Sequence, residues 1–293
     1  MPDAVSRFTG FAGEYDAARP APPAELVKVI MQWSGRAAPD VVDIGAGTGL
    51  SAVLWAGHAA TVTAIEPSAD MRAVAIRRVT AATQAAAQAG AARAGAAGHA
   101  DPSGRPDAPP GSAARRTKFT VTDATAEHTG LPGGCADIVT ASQAMHWFDA
   151  DRALPEIARV LRPGGVLAAY DCDWPPCIDW ETDAAYAAAA RGIIDLETAR
   201  GLSPPHAGKD HLVRMRRSGL FRYATEIAVH GREQGDAARL VAVALSQGGA
   251  VALLTSGATE EEMGLATLRE VAARRLPRPR TWWWTYRIRL AVR

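Results

Sequence analysis

Three glycines at alternate positions, directly after a short apolar run, have the types and spacing that suit a nucleotide-like ligand. The run 41–44 (VVDI) predicts a buried parallel strand, and Gly45, Gly47 and Gly49 follow it. Glycine is needed where a tight strand-to-helix turn takes a positive φ or brings its backbone against a ligand. A helix predicted over 50–55 would present unpaired N–H groups at the same point. We therefore predict a ligand site at the carboxyl end of the first strand.

The spacing of these glycines departs from the dinucleotide fingerprint, which places its third glycine three positions after the second. Leu50 occupies that position here, and the third glycine comes one residue earlier, at Gly49. This departure counts against a pyrophosphate-bearing dinucleotide. An NAD-dependent oxidoreductase is therefore retained only as an alternative function.

An acidic residue follows the second predicted strand. Residues 61–65 (TVTAI) predict that strand, and Glu66 comes directly after it. At this position of a Rossmann-like fold, an acid accepts hydrogen bonds from ribose hydroxyls. Glu66 therefore suits any adenosine-containing cofactor, and by itself it does not choose between them.

The rest of the chain predicts alternating strands and helices. Residues 119–122 predict a third strand, and a fourth runs to Thr140 after the turn at Leu131-Pro132. A helix over 154–161 stops at Arg162-Pro163-Gly164-Gly165, because proline and glycine end helices. Beyond it we predict strands over 166–170, 221–230 and 282–292 and helices over 184–200, 236–245 and 260–275.

These segments resemble class I S-adenosylmethionine-dependent methyltransferases, in their type-11, trans-aconitate methyltransferase-like family. The run Asp43-x-Gly45-x-Gly47-x-Gly49 matches the first motif of that family, and the helix–Leu–Arg–Pro–Gly–Gly–strand segment matches a later one. The resemblance implies an α/β fold with a Rossmann-like, doubly wound, seven-stranded sheet that is mostly parallel with its last strand antiparallel. It also implies a helical cap after the fifth strand and S-adenosyl-L-methionine as cofactor.

The resemblance also assigns roles in a cofactor site. Tyr15 would lie near the methionyl part, Arg19 near its carboxylate, Met71 on the adenine, and Asp123 at the adenine amino group. Alternatively, residues 6–19 form an amphipathic helix whose aromatic side chains pack on the core. The cofactor-binding residues that the resemblance implies are Tyr15, Arg19, Asp43, Gly45, Ala46, Gly47, Glu66, Pro67, Met71, Asp123, Ala124, Ser142 and Gln143.

The loop after the fourth predicted strand, 141–148, should face the transferring methyl, because ligands of open α/β sheets bind beyond the carboxyl ends of the strands. An imidazole is the side chain suited to proton transfer near neutral pH, so His146 in this loop is the first candidate for a general base, with Glu14 the second. A base is needed only when the acceptor must lose a proton. Alternatively, His146 is a structural residue held by a backbone carbonyl. The residues predicted on the substrate side are Trp147, Trp174 and His206.

Composition limits the classes of function. The 293 residues are 48% hydrophobic, with a net charge of +1, which allows a full core but gives no electrostatic case for nucleic acid or an anionic membrane. The three cysteines form no even disulfide set, and residues 1–11 hold no signal-peptide core. We expect a cytoplasmic monomer or homodimer that binds neither nucleic acid nor membrane.

His206, Lys209 and His211 lie close in the sequence, but no neighbouring pair of acids or cysteines completes a ligand set, so no metal is expected. The predicted domains are a cofactor-binding core over 1–174, a helical substrate cap over 175–218, and the C-terminal part of the core sheet over 219–293. A flexible insertion is predicted at about 90–115, where the sequence is rich in alanine and then in glycine and proline.

The predicted function is an S-adenosylmethionine-dependent methyltransferase that acts on a small, fairly apolar molecule. Trp174 and Trp180 in the predicted cap favour such an acceptor, methylated on oxygen or carbon, with the indole of a secondary metabolite as one candidate. A carboxylate O-methyltransferase of the trans-aconitate type is the first alternative, and it would need a cationic pocket. A non-catalytic cofactor-binding module is a further alternative.

Overall fold

The computed structural model describes residues 12–97, 116–202 and 210–293, and a seven-stranded sheet lies at its centre. The strands follow the order β3-β2-β1-β4-β5-β7-β6 across the sheet. They are β1 (Asp40–Ile44), β2 (Thr61–Ile65), β3 (Lys118–Thr122), β4 (Ala136–Ser142), β5 (Leu161–Cys172), β6 (Tyr223–Gly235) and β7 (Arg280–Val292).

Helices cover both faces of this sheet. They are α1 (Ala12–Ala18), α2 (Ala24–Ser34), α3 (Ala69–Ala97), α4 (Ala150–Val160), α5 (Trp180–Ala199), α6 (His211–Arg217), α7 (Ala237–Leu245), α8 (Gly248–Thr255) and α9 (Leu265–Arg275). The described residues also include the short 3-10 helices Ala52–Trp55 and Met145–Trp147, which lie in loops.

The strand directions confirm the predicted Rossmann-like sheet. Strands β1 to β5 pair in parallel, and β7 runs antiparallel between β5 and β6. The order reverses at β1 and β4, so the loops that follow these two strands diverge to opposite sides. This switch point is where open α/β sheets bind their ligands.

Alternating side chains of β1 supply two separate cores, because successive residues of a strand point to opposite faces. Val41 packs in the core that lies under α2, α5 and α7 to α9, whereas Val42 packs in the core under α4 and α6. Both faces are therefore covered, which explains the nearly continuous apolar run of this parallel strand.

The structure differs from the predicted elements in two informative places. The helix expected over 50–55 is only the 3-10 helix Ala52–Trp55, since β2 begins soon after the glycine loop. Helix α8 was not predicted, because two glycines at its start disfavour a helix. A Cβ on Gly249 would lie 2.8 Å from Glu197 Oε2, so this glycine lets α8 pack closely on α5.

Within the described residues, no single helix has both the length and the apolar character to cross a membrane. Only α7 and α8 meet those limits together, and they are bent by 76° at the break between them. Of the predicted flexible insertion at about 90–115, residues 90–97 belong to α3, and residues 98–115 lie outside the described residues.

We predict that Gly235→Ala destabilises the fold, because the new methyl would overlap the buried indole of Trp282. The expected loss in the free energy of unfolding is about 1–3 kcal/mol, as for other overpacked cores. Gly231→Ala on the same strand is the control, since its methyl would meet Pro23 at 3.4 Å, an ordinary contact. Urea unfolding measures both, and equal stability of the two variants would contradict the packing.

Candidate functional site

A cavity of about 330 Å³ opens at the carboxyl ends of β1, β2 and β4, at the switch point of the sheet. Its walls come from the glycine loop, the start of α3 and the loop after β4. Of the residues predicted to bind cofactor or substrate, the cavity is lined by Arg19, Gly45, Ala46, Gly47, Glu66, Pro67, Met71, Ser142, Gln143 and Trp147.

The glycine loop lies directly against the loop that follows β4. Gly45 has a φ of 65°, and a Cβ there would come 2.6 Å from Ala144 Cβ and 3.1 Å from Phe148 Cζ. Gly47 has a φ of 56° with open space around its Cα. Because neither position carries a side chain, the backbone itself forms the floor of the cavity.

Glu66 connects the ends of β1 and β2. Its Oε2 accepts a hydrogen bond from Gly47 N at 2.9 Å, and its Oε1 accepts one from Ser68 N at 2.9 Å. The residue is 8% exposed, and burial raises the pKa of its carboxyl although the two N–H groups oppose this. Each carboxylate oxygen has a second lone pair, so Glu66 retains capacity to accept from ligand hydroxyls.

Asp43 lies beneath this floor and does not line the cavity. It is fully buried, and its Oδ1 accepts from Ser51 Oγ at 2.9 Å and from Thr140 Oγ1 at 2.5 Å. Its Oδ2 has no hydrogen-bond partner among the described residues. Burial raises the pKa of this carboxyl to about 6. Asp43 therefore supports the loop from below.

Ion pairs hold the end of α1 over the cavity. Arg78 on α3 donates to Asp16 Oδ1 on α1 and to the carbonyl oxygen of Thr48, both at 2.6 Å. This contact positions Arg19, which donates to Gln143 Oε1 at 3.2 Å and lies 5.3 Å from the Trp174 ring centroid. The chain after α1 thus bridges to the loop after β4.

Gln143 has a φ of 49°, which makes it the one non-glycine residue with a positive φ in the described ranges. Its backbone N donates to the carbonyl oxygen of Tyr170 at 2.8 Å, which fixes the turn after β4. Strained backbone of this kind costs free energy and is concentrated at functional sites. The turn brings both Gln143 and Trp147 to the cavity wall.

Several predicted residues lie away from the cavity. The Asp123 side chain is 68% exposed and pairs with Arg72 at 2.8 Å, and neither Asp123 nor Ala124 lines the cavity. Trp174 packs edge-on against Trp284.

The side chains of Glu14 and Tyr15, and all of His206, lie outside the described part of the chain.

His146 does not line the cavity either. Its Nδ1 lies 3.8 Å from Asp171 Oδ1, and His211 Nε2 lies 3.6 Å from Asp171 Oδ2. Burial lowers the pKa of His211 to about 4. Sequence reasoning did not foresee this meeting, since the three residues belong to segments far apart in the chain.

The loop after β3 supplies part of the cavity wall that sequence reasoning missed. Thr125, Ala126 and Glu127 line the cavity together with Phe148. Their position in the sequence could have indicated this role, because they directly follow a parallel strand whose carboxyl end lies at the site.

Comparisons with known proteins agree with this geometry. Residues 42–169 match the family described as "Methyltransferase domain". Proteins of Mycobacterium bovis and Mycobacterium tuberculosis, each named an uncharacterized methyltransferase, are 31% identical over 160 residues. That match covers 55% of this chain and 49% of each relative, so it spans about half the length of the curated relatives.

A solved structure has the same fold. A proposed type II methyltransferase from Anaeromyxobacter dehalogenans aligns with a TM-score of 0.62 at 23% identity, covering 94% of this chain and 97% of that one. At this identity the likeness concerns the fold alone.

The buried Asp43 gives a prediction for the pH dependence of stability. Its pKa is about 6 in the folded protein against 3.8 in the unfolded chain, so the folded state binds the proton more tightly. Below pH 3.8 the bound proton therefore adds roughly 3 kcal/mol to the free energy of unfolding, and this contribution is lost as the pH rises through about 6. The side chain of Asp43→Asn does not titrate in this range. Its free energy of unfolding should therefore rise relative to that of the wild type between pH 4 and pH 7.5.

Urea unfolding at each pH measures this difference between the two proteins. Asp195→Asn, on an exposed position of α5, controls for replacing an acid by an amide. A difference between Asp43→Asn and wild type that stays flat with pH would contradict the raised pKa.

Proposed function

We propose that this chain, whose residues 42–169 form a methyltransferase domain, transfers a methyl group from S-adenosyl-L-methionine to a small, fairly apolar acceptor. The observation that carries the proposal is one cavity with two kinds of wall. The glycine loop and Glu66 form its polar floor, whereas Met71, Trp147 and Phe148 give it apolar sides.

The match of residues 42–169 to a methyltransferase domain supports the predicted methyltransferase activity and, with it, S-adenosyl-L-methionine as the cofactor. The finer trans-aconitate-like assignment stays a prediction. The residues present suit this cofactor, because Gly47 leaves open space that a side chain would fill and Glu66 can accept from a ribose. Met71, 4% exposed, lies at the same cavity as an apolar surface for a base.

When bound, the cofactor supplies a methyl group already activated on a sulfonium, so the protein has chiefly to align the reactants and exclude water. Arg19 and Gln143, joined by a hydrogen bond, both line the cavity. Trp147, on the cavity wall, presents an aromatic face, and such faces attract cations.

The charges at the cavity favour an apolar acceptor. Among the described lining residues Arg19 is the one basic side chain, while Glu66 and Glu127 are acidic. A polycarboxylate would meet these two acids and a single guanidinium that already lies against Gln143 and Trp174. We therefore favour O- or C-methylation of a secondary metabolite, indole among the candidates, over the carboxylate alternative.

The predicted proton acceptors remain proposals. His146 faces Asp171, and the Glu14 side chain is outside the described part of the chain. The reaction does not require either of them for every acceptor, since a base is needed only where a proton must be lost. The expected cytoplasmic location is likewise a proposal.

Glu66→Ala should weaken the binding of S-adenosyl-L-methionine by about 1–3 kcal/mol, or roughly 5-fold to 150-fold in Kd, because a buried acceptor is removed. Isothermal titration calorimetry measures it. Asp123→Ala removes the same charge at the end of β3 but outside the cavity, so its effect should be smaller. Equal losses in the two variants, or tighter binding of NAD to the wild type, would contradict the assignment.

A screen for release of S-adenosylhomocysteine should find turnover with phenols or indoles rather than with polycarboxylates. On the active acceptor, Trp147→Ala should raise KM by about tenfold to a hundredfold, because an apolar wall is lost. Trp180→Ala is the control, since Trp180, predicted to favour the acceptor, is instead an exposed residue of α5 that does not line the cavity. Turnover restricted to polycarboxylates would support the carboxylate alternative.

A further inference from the structure

Two histidines and an aspartate from three separate segments meet beside the cavity. His146 lies in the 3-10 helix after β4, Asp171 on β5, and His211 at the start of α6. One ligand atom from each of these side chains lies within 4.8 Å of the others. The His146 ring is 5.0 Å from that of Trp147, so the cluster adjoins the cavity wall.

His211 is the member that points to a ligand. It is fully buried, and neither of its ring nitrogens has a hydrogen-bond partner among the described residues. The nearest acid atom, Asp171 Oδ2, is 3.6 Å away, beyond hydrogen-bond length. Buried polar atoms without partners are rare because they cost free energy. An ion between the three residues would satisfy the ring nitrogen that faces Asp171.

Acidic and basic side chains alternate beside the cluster. Arg289 Nη1 donates to Asp171 Oδ2 at 2.6 Å, and Arg289 Nε donates to Glu226 Oε2 at 2.6 Å. Glu226 also pairs with Arg287 Nη1 at 3.4 Å. Arg289 occupies Oδ2 of Asp171, whereas Oδ1 is the oxygen that faces His146. Asp171 therefore has an oxygen to offer to an ion.

We propose that His146, Asp171 and His211 form a binding site for a divalent transition-metal ion, with Zn²⁺ the best match. Two imidazoles and a carboxylate suit Zn²⁺, whereas Mg²⁺ and Ca²⁺ prefer oxygen ligands. Bonds of about 2.0–2.2 Å place tetrahedral ligand atoms roughly 3.3 Å apart. His211 Nε2 lies 3.6 Å from Asp171 Oδ2 and His146 Nδ1 lies 3.8 Å from Asp171 Oδ1, so both imidazoles approach one carboxylate at nearly this spacing.

The expectation of no metal rested on the sequence around His206, Lys209 and His211, where no pair of acids or cysteines completes a ligand set. The fold supplies an acid, Asp171, from β5. Three protein ligands leave a fourth position for water or another small molecule, as in zinc sites that are not purely structural. The inference does not depend on the acceptor or on methyl transfer.

Metal binding by the full-length protein tests the proposal directly. The purified chain is treated with a chelator, dialysed and titrated with Zn²⁺ by calorimetry, and the visible absorption of bound Co²⁺ reports the ligand geometry. We expect one Zn²⁺ per chain and at least about tenfold weaker binding in His146→Ala and in Asp171→Asn. Mg²⁺ should not compete at equal concentration.

The matched control is His230→Ala, because His230 is an exposed histidine on β6 that contacts Thr285. It should bind Zn²⁺ as the wild type does. His146→Ala removes a partly exposed ligand and Asp171→Asn keeps the side-chain shape, and circular dichroism confirms that each is folded. Absence of Zn²⁺ binding in the wild type, or equal affinity in His146→Ala and His230→Ala, would overturn the site.

Discussion

The hydrogen bonds that Glu66 accepts from Gly47 and Ser68 are the interaction on which the rest of the site depends. They connect the loop after β1 to the loop after β2 through one nearly buried carboxylate. Arg72 extends this connection, since it donates to the carbonyl oxygens of Glu66 and Pro67 and pairs with Asp123 at the end of β3. Three adjacent strand ends thus hold one another in position.

A second polar network supports the glycine loop from within the sheet. Asp43 on β1 accepts from Thr140 on β4 and from Ser51, whose hydroxyl also contacts the Tyr170 hydroxyl on β5. Burial makes the ionised form of Asp43 costly, as its raised pKa shows. The loop at the ligand cavity therefore lies above hydrogen bonds that join β1, β4 and β5.

The loop after β4 presents different chemistry on its two sides. Trp147 contributes an aromatic wall to the cavity, while the neighbouring His146 points to Asp171 and His211. One short 3-10 helix thus separates an apolar space from a polar cluster. Since Asp171 is on β5 and Arg289 on β7, the sheet itself determines where this cluster lies.

Local patterns in the sequence determined the strands, the glycine loop and Glu66 at the end of β2, because strand periodicity and turn chemistry depend on neighbouring residues. Tertiary structure alone decided which side chains reach the cavity. Asp123 follows a strand as predicted, yet its ion pair with Arg72 holds it outside the cavity. Helix α8 forms because Gly249 allows close packing on α5. The meeting of His146 with Asp171 and His211 depends on strand order and side-chain rotation. Neither of these is encoded by the spacing of residues along the chain.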